Sequence, residues 1–231
     1  MRATAAVVAF LTLSCARLVP WRDEPVGNEI NLAFTLERNL IELPTVRIDS
    51  RPGRFILGTA ASRTVIDPHF PRRQRRVSAL QMSEKETVRI EPLSVDLGGV
   101  ADAIIGAEPW RNRAITIDYR SGLVTYQKEG IKSGYMTIYH YEAEPMINVI
   151  VDGREIAAIV DTANPDTIVL PRATHGRGTA IVRIADTDFG TIDVHYANIA
   201  RARVGNRLLS RFMVTIDYGQ RVVGLWRDPR A

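Results

Sequence analysis

The sequence predicts a mostly β protein built from two copies of one structural unit. Its predicted strands are short and rich in valine, isoleucine, threonine and tyrosine, as in residues 43–48, 147–151 and 214–218. Turn residues separate these stretches, and no apolar pattern with the period of a helix continues beyond about two turns. We therefore expect an all-β fold with few short helices.

The composition is that of an ordinary globular protein. The chain has 231 residues, of which 45% are apolar and 24% are charged, and its formal net charge is +4. This charge is small for the length, so no nucleic-acid partner is expected. The densest basic run, residues 71–76, contains no aromatic residue and is interpreted as a solvated loop.

The N-terminal residues have the pattern of an export signal. An uninterrupted run of apolar or small residues, 5–13, is too short to remain in a bilayer as a spanning helix, and Cys15, the only cysteine, follows it. Residues 11–15 resemble a bacterial lipobox, which implies lipidation of Cys15; a plain signal peptide with an incidental cysteine is the alternative. We expect a signal peptide over 1–15, a tether over 16–29, and a lipid-anchored membrane or periplasmic location in the bacterial cell envelope.

The main sequence feature is an internal repeat. Residues 46–68 align without a gap with residues 149–171, and eight of the 23 positions are identical. Unrelated segments of this length share about one or two identities. A second block, 105–119, aligns with 204–218, and both contain the run Thr-Ile-Asp-Tyr. The chain is therefore predicted to contain a first copy, within residues 30–135, and a second copy, within residues 136–231.

Each copy contains an apolar strand that ends in a short polar motif. The motif is Asp161–Ala163 in the second copy, with Thr167 downstream, and Gly58–Ala60 in the first copy, with Thr64 downstream. A glycine comes later in both copies, after Ile104-Ile105 in the first and after Arg203-Val204 in the second, and a final strand follows it. This constellation resembles a lobe of the retropepsin and pepsin aspartic proteases, including their bacterial single-chain members. The resemblance implies an acid-protease fold of two lobes related by a pseudo-twofold axis.

The resemblance also assigns roles to the motif residues. In such proteases one carboxylate from each lobe flanks a water molecule, and the pair divides the acid and base roles. Asp161 matches a catalytic aspartate and would be the general acid or base if the protein is active, whereas Gly58 stands at the degenerate aspartate position. Ala60 and Ala163 occupy positions where the family usually has glycine. The alternative for Asp161 is that it merely ends a buried strand at a turn.

The threonines of the motifs are implied to hold the two lobes together. Thr59 and Thr162 match the family positions that exchange hydrogen bonds between hydroxyl and backbone across the lobe interface. Thr64 and Thr167 match positions that support the active-site loops from behind. Ordinary strand threonines are the alternative for this second pair.

Two further features complete the predicted site. Hairpin flaps that cover the cleft are expected at residues 78–88 and 181–191. No metal or cofactor is expected, because the four histidines show no metal-ligand spacing. They are His69, His140, His175 and His195.

Two functions remain open. The first is an envelope pseudoprotease that binds a peptide or a protein in the cleft between the lobes. The second is a working aspartic endopeptidase in which Asp161 acts with another carboxylate or through dimerisation. Asp49 and Asp67 are the nearest candidates in sequence, but neither is placed to replace the missing aspartate. The binding function and a monomeric state are favoured.

Overall fold

The computed structural model describes residues 30–71, 76–84, 86–127 and 136–227. Within these ranges the protein is nearly all β, with one short α-helix, α1 (Asn206–Leu209), and one 3₁₀ turn (Glu108–Trp110). The expected all-β class with few short helices is confirmed. The predicted signal peptide, Cys15, the tether and positions 72–75 of the basic run lie outside the described residues. None of the helices in the described ranges has the length and hydropathy needed to cross a membrane.

The strands of the first copy are mostly short. They are β1 (Ile30–Ala33), β2 (Thr35–Glu37), β3 (Leu40–Glu42), β4 (Arg47–Ile48), β5 (Phe55–Leu57), β6 (Val65–Ile66), β7 (Ser78–Gln81), β8 (Thr87–Ile90), β9 (Leu93–Ser94), β10 (Ala103–Ile105), β11 (Ala114–Asp118) and β12 (Leu123–Gln127).

The strands of the second copy are fewer and longer. They are β13 (Thr137–His140), β14 (Met146–Val151), β15 (Arg154–Val160), β16 (Ile168–Pro171), β17 (Gly176–Ile184), β18 (Thr187–Ala197), β19 (Ala202–Val204), β20 (Met213–Asp217) and β21 (Val222–Trp226).

A six-stranded sheet joins the two copies, with the order β1-β12-β11-β20-β21-β13. Strands β11 and β20 are counterparts in the repeat, and they pair antiparallel so that Thr116 faces its own counterpart, Thr215. Their hydroxyl oxygens lie 2.9 Å apart. When counterparts face each other in an antiparallel ladder, a local twofold axis passes between them. The outer pairings follow the same symmetry, because β1 pairs with β12 and β13 pairs with β21.

The remaining strands form a closed barrel in one copy but two separate sheets in the other. In the second copy they form a closed barrel, β14-β15-β19-β16-β18-β17. In the first copy the corresponding strands are divided between a six-stranded sheet, β2-β3-β5-β10-β6-β9, and a three-stranded sheet, β4-β7-β8. Pro44 separates β3 from β4, and Pro92 separates β8 from β9; proline cannot donate a ladder hydrogen bond. Strands β14 and β18 contain no proline and run on unbroken.

Equivalent turns in the two copies use the same aspartate. Asp49 and Asp152 have positive φ values of 51° and 49°, a conformation that aspartate tolerates better than most residues. Each carboxylate accepts a 2.9 Å hydrogen bond from a backbone N–H, that of Ala79 in the first copy and of Ile181 in the second. Asp49 is therefore engaged in a turn and is not free to act as a second catalytic carboxylate.

The two hairpins predicted to be flaps belong to the body of the protein. Residues 78–88 include β7, which pairs with β4, and the side chains of Leu80 and Met82 are buried there. Residues 181–191 lie in the β17–β18 hairpin, whose first strand pairs with β14 and buries Val182. Both segments therefore form the expected hairpins, and that they cover a cleft stays a prediction.

The largest apolar core extends through both copies and the joining sheet. A second, smaller cluster lies beside the Gly58 motif and contains Leu40, Ile56 and Ile104. Ala163, from the motif of the second copy, packs against this smaller cluster. The two motifs therefore meet at an apolar contact.

Candidate functional site

The two motifs leave their strands in the same way. Asp161 follows β15, which pairs parallel with β19, and Gly58 follows β5, which pairs parallel with β10. The backbone N–H of Asp161 donates to the Val204 carbonyl at 3.0 Å, and that of Gly58 donates to the Ile105 carbonyl at 2.9 Å. Because Ile105 and Val204 are counterparts in the repeat, the backbone holds Gly58 and Asp161 in matching positions.

Thr59 and Thr162 exchange hydrogen bonds between the copies. The Thr59 hydroxyl donates to the Val160 carbonyl at 2.6 Å, and the Thr162 hydroxyl donates to the Leu57 carbonyl at 2.7 Å. Each hydroxyl oxygen also accepts from the backbone N–H of the other threonine, at 3.1 and 3.2 Å. Both side chains are buried, so these bonds satisfy backbone groups that water cannot reach.

The Asp161 carboxylate forms a buried ion pair with Arg203. Its Oδ2 atom lies 2.8 Å from Arg203 Nη1, and the two side chains are only 6% and 7% exposed. Its Oδ1 atom accepts a 3.1 Å hydrogen bond from the backbone N–H of Ala163. Both oxygens of the carboxylate are therefore engaged by the second copy itself. Arg203 Nε is buried and has no hydrogen-bond partner in the described part of the chain.

The first copy has an apolar pair in place of this ion pair. Ile104 is the counterpart of Arg203 in the repeat, just as Gly58 is the counterpart of Asp161. A Cβ atom added to Gly58 would lie 2.4 Å from Ile104 Cγ2, closer than atoms in real structures approach. The Ile104 side chain therefore occupies the space into which an aspartate at position 58 would project.

Gly106 and Gly205 are required by close backbone contacts. A Cβ atom on Gly106 would lie 2.4 Å from the Arg63 carbonyl oxygen, and one on Gly205 would lie 2.4 Å from the Asp166 carbonyl oxygen. Arg63 and Asp166 are counterparts in the repeat, so the same contact is made twice. This accounts for the repeated glycine of the second block.

Two partly buried tyrosines add polar contacts across the joining region. Tyr119 donates its hydroxyl to Asn206 Oδ1 at 2.7 Å, and its counterpart Tyr218 donates to the Thr59 carbonyl at 3.2 Å. Asn206 in turn donates to the Thr162 carbonyl and to the Asn39 carbonyl, both at 2.6 Å. Burial raises the pKa of both tyrosines, which keeps their hydroxyl groups as donors.

The two downstream threonines differ in their contacts. The Thr64 hydroxyl oxygen accepts from the Gly106 N–H at 3.3 Å, next to its own motif. The Thr167 hydroxyl instead donates to the Asp193 carbonyl, on β18 of the barrel. Ala60 is buried, and Ala163 is the only partly exposed residue of the two three-residue motifs.

One group of potential metal ligands lies outside the motifs. Ligand atoms of Asp67, His69 and Asp96 lie within 4.8 Å of one another. However, Asp67 Oδ1 accepts hydrogen bonds from the backbone N–H of His69 at 2.8 Å and from its ring at 2.9 Å, and Oδ2 accepts one from the Leu97 N–H at 2.7 Å. These bonds hold the pKa of Asp67 below its usual range, the Leu97 contact most strongly. The local loop structure therefore accounts for this geometry without a metal ion.

Comparison with models of known protein families gives no match to this sequence. A search of curated proteins likewise gives no significant match.

The sequence reasoning missed the partner of Asp161. The signal was present in the second repeat block, where Arg203 in one copy aligns with Ile104 in the other. At these two aligned positions the second copy has a charged pair, Asp161 and Arg203. The first copy has an uncharged pair, Gly58 and Ile104. A change at two aligned positions that preserves charge balance indicates a contact, and the structure shows that contact. Asn206 carries no comparable signal.

Proposed function

We propose that the protein is a non-catalytic relative of the two-lobed aspartic proteases and that it acts by binding a peptide or a protein. The internal symmetry of its backbone contacts supports the relationship. The hydroxyl exchange of Thr59 and Thr162 and the self-pairing of β11 with β20 are the contacts expected between two lobes related by a pseudo-twofold axis.

The ion pair between Asp161 and Arg203 is the observation that argues most directly against catalysis. An aspartic protease needs two neighbouring carboxylates, one of which keeps a proton to donate to the substrate carbonyl. Here the second carboxylate is absent, and the remaining one faces a guanidinium group at 2.8 Å. Both oxygens of this carboxylate already accept hydrogen bonds, from Arg203 and from the Ala163 N–H.

A working endopeptidase would need a second carboxylate from elsewhere. Ile104 fills the space beside Gly58, and Asp49 and Asp67 are engaged by backbone N–H groups. Dimerisation through two Asp161 motifs would also require the β11–β20 ladder and the threonine bonds to separate. These contacts lie within one chain, so their effective concentration is high.

The first experiment tests cleavage. The purified protein and an Asp161→Asn variant are incubated with a mixed peptide library at acidic and at neutral pH, and the products are identified by mass spectrometry. We expect no cleavage by either protein. Cleavage by the unaltered protein that is lost in Asp161→Asn, while the circular dichroism spectrum of the variant shows that it remains folded, would establish the endopeptidase function and overturn the proposal.

The second experiment tests binding near the motifs. Ala163 is the motif residue that remains partly exposed, so Ala163→Phe should obstruct a ligand there. Ala157→Phe is a matched control, because Ala157 is exposed on the neighbouring strand β15. Peptides retained from the library by the immobilised protein should be lost in Ala163→Phe and kept in Ala157→Phe. Equal retention by both variants would exclude this site.

The envelope location is proposed from the lipobox resemblance of residues 11–15. The protein should incorporate labelled fatty acid and sediment with membranes, and Cys15→Ala should abolish the labelling. Labelling that persists in the variant would show that Cys15 is not the anchor.

A further inference from the structure

A second surface, separate from the motifs, combines a depression with a basic lining. It is an open depression of about 820 Å³ against the three-stranded sheet β4-β7-β8 of the first copy. Three arginines line it, Arg51, Arg76 and Arg89, and Ala79 forms part of its wall. Ala79 and Arg89 are directly paired on β7 and β8, and neither is buried, so both belong to the outer face of this sheet.

The charge balance of this depression is positive. Arg51 and Arg89 form no ion pair within the part of the chain that the structure describes. Arg76 lies 3.6 Å from Glu91, but its side chain is 81% exposed, so that contact holds it only weakly. Asp49 is the one acidic residue of the lining, and its Oδ1 atom already accepts the Ala79 N–H.

The repeat shows that the fold does not require this basic surface. Ala79 corresponds to Ile181, because their carbonyl groups accept the N–H of the equivalent residues Asp49 and Asp152. Arg89 then corresponds to Thr191, because Arg89 is paired with Ala79 on the neighbouring strand and Thr191 is paired with Ile181.

The same register matches Arg76 to Gly178, whereas Arg51 matches Arg154 in the first block of the repeat. Where the first copy has the small Ala79, the second copy has Ile181, whose side chain is 55% exposed. The first copy thus combines two additional arginines with a smaller residue between them.

We infer that this depression binds a phosphate group of an anionic ligand. The guanidinium group presents paired N–H donors that match the oxygens of phosphate, and two or three such groups suit an anion with several acceptor oxygens. The ligand can be a soluble phosphate ester or the headgroup of an anionic phospholipid, which share this chemistry. The inference does not depend on the proposed function, because it involves none of the motif residues.

The experiment measures binding to two probes in the full chain carrying Cys15→Ala, so that no acyl chain contributes. Calorimetric titration with glycerol 3-phosphate tests a soluble ester. Sedimentation with vesicles of phosphatidylglycerol, compared with vesicles of phosphatidylcholine, tests a lipid headgroup. We expect saturable binding to at least one of the phosphate probes, and binding to phosphatidylglycerol alone would identify the lipid surface as the source.

Two variants and one control distinguish a specific phosphate site from non-specific electrostatic attraction between a basic protein and an anion. Arg51→Gln with Arg89→Gln should weaken binding about tenfold, at roughly threefold for each exposed arginine. Ala79→Ile keeps every charge but fills the depression as in the second copy, and it should weaken binding to a similar extent.

The matched control is Arg154→Gln with Arg177→Gln, which removes the same charge from exposed positions of the second copy and should leave the affinity unchanged. The absence of saturable binding to both probes would overturn the inference. It would also fail if the control weakened binding as much as the site variants, or if Ala79→Ile had no effect.

Discussion

The relation between the Asp161–Arg203 pair and the Gly58–Ile104 pair can be tested by exchanging one for the other. Asp161→Gly with Arg203→Ile would give the second copy the residues that the first copy already has. Each single change should destabilise the protein strongly, because it leaves one charged group buried without its partner. The double change should restore most of the stability, since it removes both charges and adds an apolar side chain in their place.

The magnitudes follow from the geometry. At 2.8 Å and an effective dielectric constant near 20, the attraction between the two charges is about 6 kcal/mol. Desolvation of several kcal/mol for each ion opposes it, so the net contribution of the intact pair is small. Loss of one partner leaves the desolvation of the other uncompensated, which costs about 3–5 kcal/mol. We therefore expect each single variant to lose about 3–5 kcal/mol and the double variant to lose about 1 kcal/mol, including the glycine cost in the chain.

Urea unfolding followed by circular dichroism gives the four free energies of a double-mutant cycle. The coupling energy should be several kcal/mol, with the double variant much more stable than the sum of the single changes predicts. Asp161→Asn serves as a control that removes the charge and retains the side-chain shape. The predicted coupling would be refuted if each single variant lost less than about 1 kcal/mol of unfolding free energy, or if the losses were additive in the double variant.

Three further predictions concern contacts in the first copy and at the junction. Thr162→Val should lower the free energy of unfolding by about 2–4 kcal/mol, because it removes two buried hydrogen bonds to the backbone; Thr125→Val, whose hydroxyl bond is exposed, should lower it by less than about 1 kcal/mol in the same urea titration. The lowered pKa of Asp67 contributes stability that is present above the unfolded value of about 4 and is lost as the pH falls through the folded value. The difference in urea midpoint between the protein and Asp67→Asn should therefore shrink below about pH 4, and a constant difference would contradict this. Gly58→Asp should lower the urea midpoint through its contact with Ile104, and adding Ile104→Ala should raise that midpoint again.

The repeat allowed much of the site to be predicted from sequence. Identity at Thr59 and Thr162 indicated a shared role, and a hydroxyl on the twofold-related partner is what each backbone group needs when it is buried. The predicted β class follows from local patterning, which depends on only a few neighbouring residues. The strand pattern depends on neighbouring residues, and the threonine contact is marked by the repeat. Both signals are therefore present in a single sequence.

Other features depend on contacts that a single sequence does not display. The burial of Leu80 and Met82 could not be predicted, because residues 78–88 alternate in the same way whether their apolar side faces a cleft or the core. The closure of the barrel in one copy alone appears only when the strands are assembled, although Pro44 and Pro92 mark the points where the strands of the first copy are interrupted. Asn206 bridges Thr162 and Asn39 through a side chain that the repeat does not mark.

The different closure of the two copies has a consequence for how the protein opens. The closed barrel of the second copy gives each of its strands a ladder on both sides, whereas the split sheets of the first copy end at edge strands such as β2 and β9. Amide protons at sheet edges exchange with solvent through local fluctuations, while those in a closed ladder require a larger cooperative opening. Two halves that share a sequence repeat and a joining sheet are thus expected to differ in hydrogen-exchange protection, with the barrel amides among the slowest.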